Sequence, residues 1–339
     1  MSRDADEARA DDRDDLDDRD ADAPRKPRLL LHVGLFLATF LTTTMTGAIY
    51  VHKGLSIGPM ADGLTYSLPL MLILLCHELG HYVVARRYGV DASLPYFIPF
   101  PLGLGTLGAV IGMRQSTTDR KQLIDVGAAG PLAGLIVAIP FLIVGLMRSQ
   151  VGPIVGAGEQ TVTMEGNSIL YALAKFFVKG AWMPGGGIDV HLHPMAMAAW
   201  AGLFVTMINL LPIGQLDGGH IATAYFGNRY NAFAERLRRL LPVGALAAFL
   251  WVLYVGKQEA GAAWRFGPGA SIAMAAATPW LVWFLLIGLM RRLTGGVNHP
   301  QVDDQPLAPS RRALFWLMVI VFVAVFMPVP FREVMAGQP

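Results

Sequence analysis

The sequence predicts an all-α polytopic membrane protein, with about seven transmembrane helices and a short re-entrant β-hairpin. Of its 339 residues 54% are hydrophobic and only 15% are charged, and its mean hydropathy is +0.46. Apolar stretches of about 20 residues recur along the chain, each long enough to cross a hydrocarbon core of roughly 30 Å as a helix. Helices are expected because hydrocarbon offers unpaired backbone groups no partner. A single cysteine, Cys76, excludes an intrachain disulfide.

Residues 1–22 hold eleven acidic and four basic side chains, whereas the whole chain carries a net charge of +2. Runs such as Asp11-Asp12-Arg13-Asp14-Asp15 have no apolar face, so residues 1–28 are expected to form a disordered acidic cytoplasmic tail. No short apolar core with a small-residue cleavage site precedes Leu29, and the tail is expected to persist in the mature protein. Seven spans follow, at about 29–50, 66–85, 125–147, 195–216, 240–256, 271–290 and 313–331. With the amino terminus inside, 20 of the 27 Lys and Arg fall in cytoplasmic segments, as the positive-inside bias favours.

Tyr50, Trp200, Trp251, Tyr254, Trp280 and Trp316 fall near span ends, where amphipathic rings anchor helices at the headgroups. The apolar segment Pro95–Gly112 is too rich in Pro and Gly for a spanning helix, and a re-entrant hairpin suits it better. Gly130 and Gly134 in the third span form a small-xxx-small face that implies close helix packing. The longest outer loop, 148–194, is shorter than the roughly 50 residues of a small independent domain, so no appended soluble domain is expected.

The second span reads LCHELGHYVVARR, which places His77 and His81 on one helical face with Glu78 beside them. That spacing lets two imidazoles grip one zinc ion, with the glutamate as general base. Ionisable groups inside an apolar span are costly unless paired or bound, so the cluster favours function over its bland alternative, a satisfied contact between helices. Catalytic zinc normally takes three protein ligands and keeps one position for water. Asp217, in NLLPIGQLDGGH at the end of the fourth span, is among the very few acidic side chains in or beside apolar spans and is the candidate third ligand. The alternative makes Gly218 and Gly219 a helix stop and Asp217 a solvated cap. Spans two and four are separated by two crossings and run in the same direction, which puts both motifs at one depth near the cytoplasmic end. His220 is expected just past the helix end, His191 and His193 at the opposite surface, and Cys76 in packing about 100° around the helix from His77.

These stretches resemble the site-2 protease family of intramembrane zinc metalloproteases, which pairs an HExxH helix with a later N-x-x-P-x-x-x-L-D-G helix. Asn209, Pro212, Leu216, Asp217 and Gly218 fit the second motif. The likeness runs from about Leu70 to His220, takes in GTLGAVIGMR and AGPLAG, and looks like the bacterial and chloroplast branch without PDZ or CBS domains. It implies an intramembrane protease domain over 29–331, a catalytic core at about 66–220 and a short C-terminal tail at 332–339. It also implies one Zn2+ per chain held by His77, His81 and Asp217, with Glu78 catalytic and Asn209 near the reacting carbonyl as an oxyanion donor. A plainer reading gives Asn209 an interhelical hydrogen bond.

The expected partners are a transmembrane protein substrate and the lipid bilayer, with no nucleic acid. Regulated release of a membrane-tethered factor is the implied process, in a bacterial plasma membrane or, alternatively, a chloroplast membrane. A transporter would also account for buried His and Asp, yet it has no need of Glu78 beside His77 and usually shows internal repeats, which are not evident here. A catalytically silent scaffold has no use for the intact motif set.

Overall fold

The computed structural model describes residues 28–52, 60–113, 118–154, 161–185, 187–260, 266–293 and 301–335. The expected acidic tail, apart from Arg28, lies outside the described residues. The first half of the chain contains α1 (Leu29–His52), α2 (Leu64–Arg87), β1 (Tyr96–Pro99), β2 (Thr106–Val110) and α3 (Arg120–Arg148). A connecting segment follows, with β3 (Gln150–Pro153), β4 (Thr161–Glu165), α4 (Ile169–Lys179) and β5 (Ile188–His191). The remainder comprises α5 (Pro194–Asn209), α6 (Asp217–Phe226), α7 (Tyr230–Ala260), α8 (Phe266–Leu293), α9 (Pro309–Val325) and β6 (Phe331–Met335).

Among the described residues, five helices are long and apolar enough to cross a membrane: α1, α2, α3, α7 and α8. The fourth and seventh expected spans yield shorter helices. α5 ends at Asn209, because Pro212 has no N–H to continue the ladder and Gly214 adopts φ +61°. The chain then turns through residues 210–216 and restarts as α6. α9 stops at Val325, just ahead of Pro328 and Pro330. Residues 332–335, expected in a C-terminal tail, belong to β6 and pair with β4.

α5 is the central post. Ala196, Ala198, Ala199, Trp200, Leu203 and Met207 have no exposed surface, and α2 and α3 pack on either side of it. Trp200 and Trp280 are therefore not interfacial anchors. Both are buried, and their indole N–H groups donate to Gly166 O at 2.8 Å and Pro328 O at 3.0 Å. A buried indole needs such an acceptor, and here backbone outside the helices supplies it. Tyr50, Trp251, Tyr254 and Trp316 keep exposed rings.

Pro95–Gly112 forms a hairpin, with Tyr96 opposite Val110, Phe97 opposite Ala109 and a bulge before the Pro99–Thr106 pair. It lies against α1, where Phe36 meets Phe97 edge to face at 5.1 Å. Its tip is held by Thr42, which donates to Gly105 O, and by Tyr66, which donates to Leu104 O. The connecting segment packs on the helices, its α4 against α3 and α9. Its strands form two small sheets, β3 with β5 and β4 with β6. Beneath them Lys175 is fully buried, its Nζ 3.1 Å from Asp189 Oδ1, while Tyr171 donates to Glu165 Oε1 at 2.7 Å. Burial pushes the Glu165 carboxyl above the usual carboxylate range, against the opposing pull of Lys175.

Candidate metal centre

His77 and His81 sit one helical turn apart on α2, both buried, with ring centroids 5.0 Å apart. Asp217 arrives from 140 residues downstream. The turn at 210–216 releases the chain from α5 and starts α6 with the aspartate as its first residue, so the carboxylate projects toward α2. Asp217 Oδ2 lies 3.1 Å from His77 Nε2, and Oδ1 lies 3.3 Å from His81 Nε2. One ligand atom from each of the three residues falls within 4.8 Å of the others.

These separations suit a metal. A tetrahedral zinc with bonds of roughly 2.0–2.1 Å places neighbouring ligand atoms about 3.3 Å apart. The tautomer agrees. His81 Nδ1 lies 2.7 Å from Val126 O, which can only accept, so Nδ1 carries a proton and Nε2 is the ring nitrogen that faces Asp217. A carbonyl or carboxylate behind the ring is the usual partner of a metal-binding histidine.

Glu78 is buried next to His77, and Asn209, the last residue of α5, brings Nδ2 to 3.2 Å from His77 Nε2. His77, His81, Asp217 and Asn209 thus border one spot, and Glu78 follows His77 in the same helical turn. Asp217 caps no helix end, and Gly218 and Gly219 begin a helix rather than stop one. His220 lies within the first turn of α6. His193 is the N-cap of α5, accepting from Met195 N, and His191 bonds to Pro153 O; neither belongs to the cluster.

Two groups at this centre have no motif of their own. The Val126 carbonyl is backbone and carries no sequence signature. Arg120 opens α3 and donates to Ala224 O at 2.6 Å and Tyr225 O at 2.7 Å, closing the carbonyl end of the helix that begins with Asp217.

The sequence profile of peptidase family M50 matches residues 65–252, which contain all of these groups. The chain belongs to peptidase family M50. Among relatives, it is 34% identical over 206 residues to "Probable zinc metalloprotease EGY2, chloroplastic" of Arabidopsis thaliana, covering 58% of this chain and 35% of that protein. It is 35% identical over 193 residues to "Probable zinc metalloprotease EGY1, chloroplastic" of Oryza sativa subsp. japonica, covering 55% of this chain and 33% of the relative. The matched region thus spans about a third of the length of these M50 relatives. No solved structure matches the chain. The family is the one the HExxH and NxxPxxxLDG residues resemble.

Proposed function

We propose that this chain is a zinc-dependent endopeptidase that cuts a transmembrane segment of a protein substrate within the bilayer. The observation that carries the reading is the convergence of two imidazoles and a carboxylate at metal-bonding separations, beside a buried glutamate, among helices long enough to span a membrane. His77, His81 and Asp217 hold the ion, one per chain. When bound, zinc supplies Lewis acidity, bringing the pKa of water toward about 7 and polarising the scissile carbonyl.

Glu78 accepts the proton of the attacking water and returns it to the leaving amine nitrogen, a role open to a buried carboxylate next to His77. Asn209 offers its amide N–H to the oxyanion that develops on the carbonyl oxygen. The short helices α5 and α9 complete seven crossings, the amino terminus is cytoplasmic, and the hairpin enters the membrane from the side of the site. A bacterial plasma membrane is the preferred location, and the chloroplastic relatives keep the alternative in view. Release of a membrane-tethered factor is the process this chemistry would serve.

A transmembrane helix hides its carbonyls in its own hydrogen bonds, so the substrate must unwind and then find new backbone partners. β2 has an edge that pairs with no strand among the described residues, and strand addition there meets that need. A largely apolar cavity of about 1170 Å³, bordered by α7, by Trp280 and Phe322 and by the strand region around Met164 and Pro184, reaches Leu211, Pro212 and Ile213, the turn joining Asn209 to Asp217. It offers a transmembrane segment a path to the site.

The test is cleavage of a single-span substrate by purified full-length protein in lipid. Chelation is expected to abolish cleavage and added zinc to restore it, and cleavage that persists in metal-free protein would sink the reading. Leu107→Pro, which removes an N–H from β2, should slow cleavage about tenfold, or 1.4 kcal/mol, and leave the zinc in place. Unaltered cleavage would count against strand addition.

A further inference from the structure

We infer that α3, which contributes no ligand, sets the geometry of the metal site: Gly127, Gly130 and Gly134 each clear space for one ligand-bearing segment, and the Val126 carbonyl orients His81. The three glycines stand at i, i+3 and i+7 and so share one face of the helix. A Cβ on Gly130 would lie 2.0 Å from His81 Nε2 and 2.4–2.5 Å from the flanking ring carbons, far inside van der Waals contact. On Gly134 it would come within 3.2 Å of both the His77 Cβ and Nδ1. On Gly127 it would meet Ile221 at 3.2 Å, His220 Cβ at 3.3 Å and Asp217 O at 3.4 Å, all in the first two turns of α6. His81 and His77 thus rest against Gly130 and Gly134, and the start of the Asp217 helix rests against Gly127.

Gly130 does two things at once. A helical side chain covers the turn on the N-terminal side of its own Cα, so a Cβ at 130 would lie over the turn that carries Val126 O. Its absence lets the His81 ring lie flat on α3 and lets Nδ1 reach that carbonyl at 2.7 Å. The same bare surface receives α2 from the other side. Gly80, between the two histidines, brings its own Cα so near that a Cβ would stand 2.5 Å from Ala129 O. Generic helix packing would place small residues anywhere along the seam. Here Gly130 and Gly134 fall opposite His81 and His77, and Gly127 opposite the helix that begins with Asp217.

The inference rests on the zinc reading above, and the test separates the two. Full-length wild-type, Gly130→Ala, Gly134→Ala and Gly145→Ala proteins are purified in lipid, and their zinc affinity and the visible bands of their cobalt forms are measured. Gly145→Ala is the control, because a Cβ there would stand 2.4 Å from Ala196 N, an equally tight contact on the same helix away from the ligands. We expect Gly130→Ala to bind zinc about 10–100-fold more weakly, as when a histidine loses its outer hydrogen-bond partner. Gly134→Ala should retain cobalt with shifted bands, and Gly145→Ala should lower thermal stability with wild-type bands. If Gly130→Ala does not fold, Gly134→Ala decides by its spectrum. The inference is overturned if both site variants keep wild-type affinity and bands, or if Gly145→Ala shifts the bands as far as they do. A wild-type chain that takes up no cobalt or zinc refutes the metal reading, and this inference with it.

Discussion

Glu78→Gln is expected to lower cleavage by about 10²–10⁴-fold, the usual contribution of a positioned acid–base group, while the zinc content of the purified protein stays at one per chain. The two outcomes separate because Glu78 lies beside the histidines without belonging to the ligand cluster. Glutamine matches glutamate in shape and offers an amide to its surroundings, yet it cannot take a proton from water at neutral pH. Paired measurements of cleavage and of bound zinc check this. Wild-type cleavage in the variant would remove Glu78 from the chemistry; loss of zinc would make it part of the metal's support.

Asp217→Ala should affect both quantities. Its two oxygens face both histidines, at 3.1 and 3.3 Å, so truncation takes away a ligand and leaves two imidazoles facing a gap. Zinc affinity should fall by more than the roughly 10–100-fold that loss of an outer hydrogen-bond partner costs, and cleavage should fall with it. Isothermal titration of zinc into metal-stripped protein measures the first effect. Retention of zinc at wild-type affinity would mean that the third ligand lies elsewhere.

Much of this was readable in the chain because each signal is local. HExxH puts two imidazoles on one face of any helix, and a run of apolar residues marks a span whatever surrounds it. Asp217 stood out because acids are scarce in apolar company. The break between α5 and α6 was also written, in Pro212 and Gly214, but it lies inside an apolar run that reads as one continuous span. Trp200 and Trp280 carry the same sequence signal as a lipid-facing anchor, and only the acceptors brought by distant backbone identify them as core. The β4–β6 pairing joins segments far apart along the chain, and nothing local specifies such a partner. Gly130 and Gly134 were visible as a packing face, while the register of the α3 glycines against His77, His81 and the start of α6 depends on how α2, α3 and α6 meet.

As one of the proposed crossings, α9 is short, and its length would bear on the surrounding lipid. Its apolar part runs from Ala313 to Val325, after Arg311 and Arg312, and at 1.5 Å per residue measures about 20 Å against a hydrocarbon thickness of roughly 30 Å. Trp316, Leu317, Ile320 and Val323 are exposed on it, whereas Phe322 and Phe326 line the cavity. With α9 as one of the proposed crossings, hydrophobic mismatch on that flank would draw the two leaflets together. A membrane segment approaching there would be longer than the oil around it, its ends already wetted before it reaches the ion.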